Sequence, residues 1–306
     1  MKERVHYLSL ASVVSIVAVV LIHVNSLFFW DFEGTEDWWI ANLVETCMRF
    51  AVPVFFMSSG ANLIDYSERY STKEFFRKRY MKIGIPFLVW SCMFGFLYTI
   101  MTGQVELSLS MEGIKTAISQ YTGTGIYLMY WFLIIISGIY LIMPILSNIK
   151  KEKKESLILY LIVIIFMIKY IAPFICRVFA ISYVSSSLIS DRIISYLIYV
   201  LLGYILHKRD IPIKWRIMSY ICAIIGFVLQ SYGTYCLSNE AGVTTEFFGG
   251  YNNLPCLLWS VGVFIFIKQV SVSIKNERLI QGIEWLSGYT FSIYLIHFFF
   301  IDYFRY

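Results

Sequence analysis

Arg49 lies inside the apolar stretch "MRFAVPVFFMSSG", residues 48–60, where a charged side chain needs a chemical explanation. A cation at membrane depth is costly unless it meets a counter-ion, a ligand or a watery cavity, so such residues are functional candidates. Glu45 precedes Arg49 by four residues, which places both side chains on one helix face and makes an internal ion pair available. The pattern leaves two interpretations: a structural pair, or a pair that lines a cavity and binds substrate.

Two histidines occur in other apolar stretches, His23 in "VVLIHVNSLFF" and His297 in "FSIYLIHFFF". Counting from the start of each stretch places both imidazoles roughly 21 to 24 Å along their helices, and so at a similar depth. Imidazole accepts and returns a proton near neutral pH. We therefore predict that His23 is a catalytic base, with Asn25 and His297 binding substrate beside it. The alternative is that both histidines are hydrogen-bonded packing residues.

Lys169 and Trp131 are further substrate-binding candidates. Lys169 is the second basic residue inside an apolar stretch, where it can bind a ligand, extend its amine to the membrane surface or lose its proton. Trp131 stands near the end of its apolar stretch, where an aromatic ring fits a membrane-interface belt as well as a ligand wall. For both residues the sequence leaves the structural and the functional interpretation open.

The composition requires a membrane protein. Of the 306 residues 58% are hydrophobic and 15% are charged, which is too apolar for a surface that faces water. A bilayer core takes roughly 20 apolar residues per helix. The sequence therefore predicts an all-α, polytopic helix bundle with nine spans, at residues 7–29, 39–64, 83–101, 126–147, 157–176, 189–206, 215–237, 251–267 and 283–304.

Basic residues predict the orientation of this bundle. Lys and Arg in short loops are retained on the cytoplasmic side of the membrane. A cytoplasmic N-terminus places most of the 25 basic residues on that side. The net charge of +5 then reflects inner-face retention and contact with anionic lipid, and not nucleic-acid binding. Four of these residues, Arg77, Lys78, Arg79 and Lys82, can also attract the phosphates of a cofactor.

Several classes of site are absent from the sequence. The six cysteines are scattered through apolar segments without a CxxC pair or metal-ligand spacing, so we predict neither a disulfide framework nor a metal site. No glycine-rich phosphate loop and no GxSxG motif occurs.

Stretches along nearly the whole chain resemble the membrane-bound acyltransferase family 3, whose members O-acetylate cell-surface polysaccharides and peptidoglycan. The stretches that carry the resemblance are "AVVLIHVNS", "RFAVPVFFMSSG", "FFRKRYMKIGIPFLVWS", "WFLIIISGIYLIMPIL", "LIYVLLGYIL" and "GYTFSIYLIHFFF". The resemblance implies one transmembrane domain, here residues 1–306, with ten helices, so we expect the last helix to be missing. It also implies that His23 matches the catalytic histidine and Arg49 the arginine of the second helix.

Three positions depart from the family pattern. Ser12 stands where an arginine is usual, eleven residues before His23, and Ser9 stands near it where an acidic residue is frequent. Met129 replaces a histidine that usually comes two residues before Trp-Phe-Leu.

The resemblance implies transfer of an acyl group, most simply acetyl, from cytoplasmic acyl-CoA to a hydroxyl of a surface glycan or lipid-linked acceptor at a bacterial plasma membrane. The three departures support an alternative, a non-catalytic relative that binds or translocates a small polar molecule such as an amino acid. A purely structural membrane subunit is a third interpretation, and it explains the buried charges least well.

Overall fold

The computed structural model describes residues 6–32, 34–90, 93, 110, 112, 126–179, 181 and 188–303. Every regular element within them is helical, which confirms the all-α prediction. The helices are α1 (His6–Trp30), α2 (Glu36–Met48), α3 (Ala51–Leu63), α4 (Thr72–Arg79), α5 (Ile126–Ser147), α6 (Lys151–Phe166), α7 (Ala172–Val178), α8 (Ile189–Lys208), α9 (Ile213–Ala241), α10 (Leu254–Ser273), α11 (Glu277–Ser287) and α12 (Thr290–Tyr303).

Seven helical segments of the described chain are long and apolar enough to cross a membrane. They correspond to seven of the nine predicted spans, and two of them run through a local break, at Glu36–Glu68 and Lys151–Cys176. The predicted span 83–101 lies mostly outside the described residues. Large apolar side chains such as Val272 and Ile145 are 76% and 70% exposed, which is costly in water and favourable against lipid.

The predicted ninth span, 283–304, is wrong as a single helix. The chain instead forms α11, which carries charged residues, and the apolar α12, which is shorter than the seven candidate spans. The backbone N–H groups of Gly288 and Tyr289 donate to carbonyls three residues earlier, and these tight bonds end α11. The break falls at Ser287 and Gly288, and a count of apolar residues over a window of about 20 residues does not resolve it.

The described chain divides into two compact units, and the first comprises Met1–Ile64 with Asn148–Tyr306. Helix α1 is its centre and packs against α2, α3, α10, α11 and α12. Helices α3 and α8 pack so closely that Gly60 of α3 contacts the backbone of α8 and Gly203 of α8 contacts the backbone of α3. A Cβ on Gly203 would lie 2.0 Å from the Met57 carbonyl oxygen. Helix α9 packs against α10 and α2, and ends at Gly242, whose φ of +68° favours glycine.

The second unit comprises Asp65–Ser147 and contains α4 and α5. Ser71 begins α4, because its side chain accepts a hydrogen bond from the Glu74 N–H. Phe75 is fully buried and stacks on Tyr66 at a ring-centroid distance of 4.2 Å. The Ser67 N–H and hydroxyl donate to the Ser147 hydroxyl and carbonyl, which ties this segment to the end of α5.

Candidate active site

Arg49 lies in the first unit at the turn between α2 and α3, and it forms the centre of a buried charged cluster. Its Nη2 atom is 2.9 Å from Glu45 Oε1 and 2.7 Å from Glu246 Oε1. The Arg49 and Glu45 side chains are each 6% exposed, whereas Glu246 is 44% exposed. The ion pair that the i, i+4 spacing makes available therefore forms, and a second carboxylate joins it from a distant loop.

The break between α2 and α3 has a local chemical cause. Pro53 has no backbone N–H, so the Arg49 carbonyl four residues earlier lacks its usual helical donor. The Cys256 thiol on α10 lies 3.7 Å from that carbonyl and supplies a weak substitute. The break thus leaves the Arg49 side chain at a helix end, and Pro53 stands in the first turn of α3 rather than at a kink midway along one helix.

Asn25 connects α1 to the charged cluster. Its Nδ2 atom donates to the Ala41 carbonyl at 2.9 Å and to Glu45 Oε2 at 3.3 Å. His23 precedes Asn25 by two residues, and its imidazole interacts electrostatically with Arg49. The structure thereby places His23, Asn25, Glu45 and Arg49 in one neighbourhood.

His23 also contacts His297, so the two histidines meet as the sequence predicts. Their ring centroids are 5.1 Å apart, and the His23 ring lies 4.2 Å from the Phe298 ring. His23 is half-buried, whereas His297 is 4% exposed. The Nδ1 atom of His297 is 2.7 Å from the Tyr294 carbonyl oxygen on the same helix.

The segment 242–253, between α9 and α10, covers the charged cluster. Thr244 donates to the Phe29 carbonyl at the end of α1, and Ser238 accepts from the Thr245 N–H. The Tyr251 ring lies 5.2 Å from the Arg49 guanidinium carbon, in cation–π contact. Burial raises the pKa of the Tyr251 phenol, so the ring stays neutral beside the cation. Glu246 and Tyr251 thus bring this segment onto Arg49.

Helix α9 presents buried polar groups next to segment 242–253. Gln230 and Thr234, four residues apart, are each 1% exposed. Gln230 Oε1 and Thr234 Oγ1 have no hydrogen-bond partner within the described chain. Asn42 of α2 donates to the Ser231 carbonyl at 2.8 Å. These residues add hydrogen-bonding groups to an otherwise apolar interior.

The sequence did not predict Glu246, Tyr251 or the polar face of α9. Gln230, Thr234 and Ser238 follow each other at four-residue intervals, and this periodicity is a signal that could have identified the α9 face. Glu246 has no such signal, because it lies in a loop 197 residues from Arg49.

The other candidate residues lie in different surroundings. Lys169 lies in a π-helical turn, Met167–Ile171, and forms an ion pair with Asp191 of α8. Trp131 belongs to the second unit, where it is half-buried and follows a non-helical residue, Tyr130, in α5.

The four basic cofactor candidates also belong to the second unit. Lys78 forms an ion pair with Glu74 and contacts the Tyr70 ring at 4.3 Å. Arg77 and Lys82 are exposed, and Arg79 is half-buried. The part of the chain described here holds no group of three or more His, Cys, Asp or Glu side chains that could bind a metal ion.

A comparison of the sequence with known protein families identifies its family. Residues 5–306 match the family model of the acyltransferase domain of acyltransferase family 3. The chain belongs to acyltransferase family 3. No curated protein and no solved structure matches it significantly. Family membership and the seven long apolar helices among the described residues together make this acyltransferase family 3 chain a membrane protein.

Two of the three departures from the family pattern are visible in this acyltransferase family 3 protein. Ser12 donates its hydroxyl to the Leu8 carbonyl on its own helix at 2.9 Å, and Ser9 is buried. These two positions of α1 thus carry neutral side chains. Met129 falls among residues of which only the backbone is described.

Proposed function

We propose that the chain is an O-acyltransferase that moves an acyl group, most simply acetyl, from cytoplasmic acyl-CoA to a hydroxyl of a surface glycan or lipid-linked acceptor. The observation that carries this proposal is the half-buried His23 imidazole beside the buried Arg49 cluster in a chain of acyltransferase family 3. We place the protein in a bacterial plasma membrane with its N-terminus in the cytoplasm, as the basic loops predict.

His23 acts as the general base in this mechanism. A hydroxyl is a weak nucleophile near neutral pH, so His23 removes its proton as the oxygen attacks the thioester carbonyl. The C–S bond then breaks, and the same proton passes from His23 to the departing CoA thiolate. The products are the ester and CoA with a free thiol, and His23 returns to its neutral form.

Arg49 stabilises the negative charge that develops on the carbonyl oxygen. Its Nη2 atom already contacts two carboxylates, but its Nε atom is buried and has no hydrogen-bond partner within the described chain. The Nε–H group is therefore a buried donor that can bind an oxyanion. Glu45 of α2 holds the guanidinium in place, and Asn25 of α1 donates a hydrogen bond to Glu45.

The test measures transfer of radiolabelled acetyl from acetyl-CoA into the lipid and glycan fractions of membranes that contain equal amounts of each variant. Loss of a general base is expected to lower the rate of His23→Ala by about 100-fold or more. His6→Ala is the matched control, since His6 begins the same helix and its side chain is 58% exposed. Wild-type transfer by His23→Ala would contradict the proposal.

A second candidate function is binding or translocation of a small polar molecule with a carboxylate, such as an amino acid. The contact between Arg49 and Glu246 favours it, because the Arg49 guanidinium already donates a hydrogen bond to the carboxylate of a half-exposed side chain. Uptake of a radiolabelled amino acid by proteoliposomes without CoA, together with no acetyl transfer, would favour this function over the enzyme.

A further inference from the structure

His297 is held in one tautomer by its own helix. Its Nδ1 atom lies 2.7 Å from the Tyr294 carbonyl oxygen, and a carbonyl oxygen only accepts hydrogen bonds. In neutral His297 the ring proton is therefore on Nδ1, and Nε2 carries a lone pair. Nε2 is consequently a hydrogen-bond acceptor with a fixed direction.

The Nε2 atom of His297 is buried and has no hydrogen-bond partner within the described chain. Leaving a buried acceptor unsatisfied costs about 1–3 kcal/mol, so such an atom in a folded protein calls for an explanation. The neighbouring ring is His23, at a centroid distance of 5.1 Å. That distance allows a hydrogen bond between ring nitrogens when the His23 ring turns toward Nε2 of His297, whose own ring the Tyr294 carbonyl holds.

We propose that His297 is a positioning residue for His23: its Nε2 accepts a hydrogen bond from one ring N–H of His23 during the reaction. This proposal rests on the proposed acyl transfer. The bond keeps the proton on one nitrogen of His23 and leaves the lone pair of the other nitrogen for the acceptor hydroxyl. The Phe298 ring packs against the His23 ring at a centroid distance of 4.2 Å.

His297 takes no proton in this scheme. The acceptor hydroxyl gives its proton to the free nitrogen of His23, which becomes an imidazolium, and the second N–H of that imidazolium still donates to His297 Nε2. The proton then leaves with the CoA thiolate, and His297 keeps its own proton on Nδ1 throughout. A neutral acceptor thus orients the base, as a carboxylate does in a Ser-His-Asp triad.

Three substitutions separate positioning from packing. His297→Asn keeps a donor near the position of Nδ1, for the Tyr294 carbonyl, but removes Nε2. His297→Gln places an amide oxygen near the position of Nε2 and restores an acceptor. His297→Ala removes both. A packing role predicts that Asn maintains activity, whereas a positioning role predicts that Gln retains more activity than Asn or Ala.

The experiment measures kcat and the KM for acetyl-CoA in membranes with their endogenous acceptor, and the thermal unfolding temperature of each purified variant in detergent. Positioning predicts that Asn and Ala lower kcat by roughly 10- to 100-fold with KM unchanged, and that Gln recovers roughly tenfold over Ala. Equal kcat for wild type and His297→Asn, or equal kcat for Gln and Ala, would overturn it. If the Asn variant unfolds, the kcat of His297→Gln relative to that of His297→Ala still tests the positioning role.

Failure of the proposed function gives a different result. If the wild type transfers no acetyl group, or if His23→Ala transfers it at the wild-type rate, the acyl-transfer proposal is wrong and the positioning role is wrong with it. If the wild type is active, His23→Ala is inactive and His297→Asn is fully active, only the positioning role is wrong.

Discussion

At the scale of single residues, the decisive feature is a buried guanidinium that contacts one buried carboxylate, Glu45, and one half-exposed carboxylate, Glu246. Arg49 and Glu45 are each 6% exposed, so neither charge can be compensated by water. Removing one partner of a buried pair leaves an uncompensated charge, which costs far more than losing an exposed pair. The Arg49–Glu45 pair therefore stabilises the fold and also forms part of the candidate site.

We predict strong energetic coupling between Arg49 and Glu45. Arg49→Met leaves the Glu45 carboxylate unpaired and is expected to lower the free energy of unfolding by about 3–5 kcal/mol. Adding Glu45→Gln removes that stranded charge, so the double variant is expected to be more stable than the two single losses imply, by about 1–3 kcal/mol. The measurement is a double-mutant cycle by SDS titration in detergent micelles.

The exposed pair Glu74 and Lys78 has the same i, i+4 spacing and serves as the control cycle. Its side chains are 43% and 46% exposed, so its coupling is expected to stay at or below about 0.5 kcal/mol. Additive effects at Arg49 and Glu45 would show that burial gives this pair no special strength.

The sequence predicts local relations between residues better than distant ones. The i, i+4 spacing predicts the Glu45–Arg49 pair because helix geometry brings these positions together. The similar depths of His23 and His297 predict their contact. Glu246 could not be predicted, since its position depends on how segment 242–253 folds back over α2, and no local pattern encodes that.

At the scale of helices, the crossing of α3 and α8 depends on the absence of side chains at two positions. A Cβ on Gly60 would lie 1.8 Å from the Val200 carbonyl oxygen, and a Cβ on Gly203 would lie 2.0 Å from that of Met57. Both contacts are to backbone, so no side-chain rotation can relieve them. Small residues that let backbones approach are a general means of packing helices in membranes.

We predict that Gly203→Ala separates α3 from α8 and destabilises the protein. Overpacking of this kind costs about 1–3 kcal/mol, and it is measured as a lower thermal unfolding temperature in detergent. Gly282→Ala in α11 is the matched control, because a Cβ there meets nothing within 4 Å. Its expected effect is neutral or slightly stabilising, since alanine favours helix over glycine. Equal unfolding temperatures for the two variants would contradict this packing argument.

Helix positions follow from apolar runs, but helix breaks do not. Apolar length locates seven candidate spans within the described chain, because the bilayer imposes that length. The breaks at Arg49–Phe50 and at Gly288–Tyr289 fall within windows of about 20 residues that are apolar on average, so apolar length alone does not locate them. Pro53 frees the Arg49 carbonyl and is a local signal for the first break. The partner of that carbonyl, the Cys256 thiol, comes from tertiary packing and could not be predicted.

At the scale of the whole molecule, the orientation decides from which side an acceptor reaches His23. His23 lies roughly 25 Å along α1 from His6, close to the α1 end where Thr244 donates to the Phe29 carbonyl at 2.8 Å. Segment 242–253 therefore marks the membrane face nearer to the candidate site. Most basic residues lie in the loops at the opposite face, which predicts that the face with segment 242–253 is outside the cell.

Cysteine labelling of intact cells tests this orientation. Val243, 59% exposed beyond the end of α9, is expected as Val243→Cys to react with a membrane-impermeant maleimide added from outside. Asp210, exposed between α8 and α9 at the other end of α9, is expected as Asp210→Cys to react only after the cells are permeabilised. The unsubstituted chain gives the background from the native cysteines. The reverse pattern would place the His23 end of α1 at the cytoplasmic face, where a surface acceptor could not approach it directly.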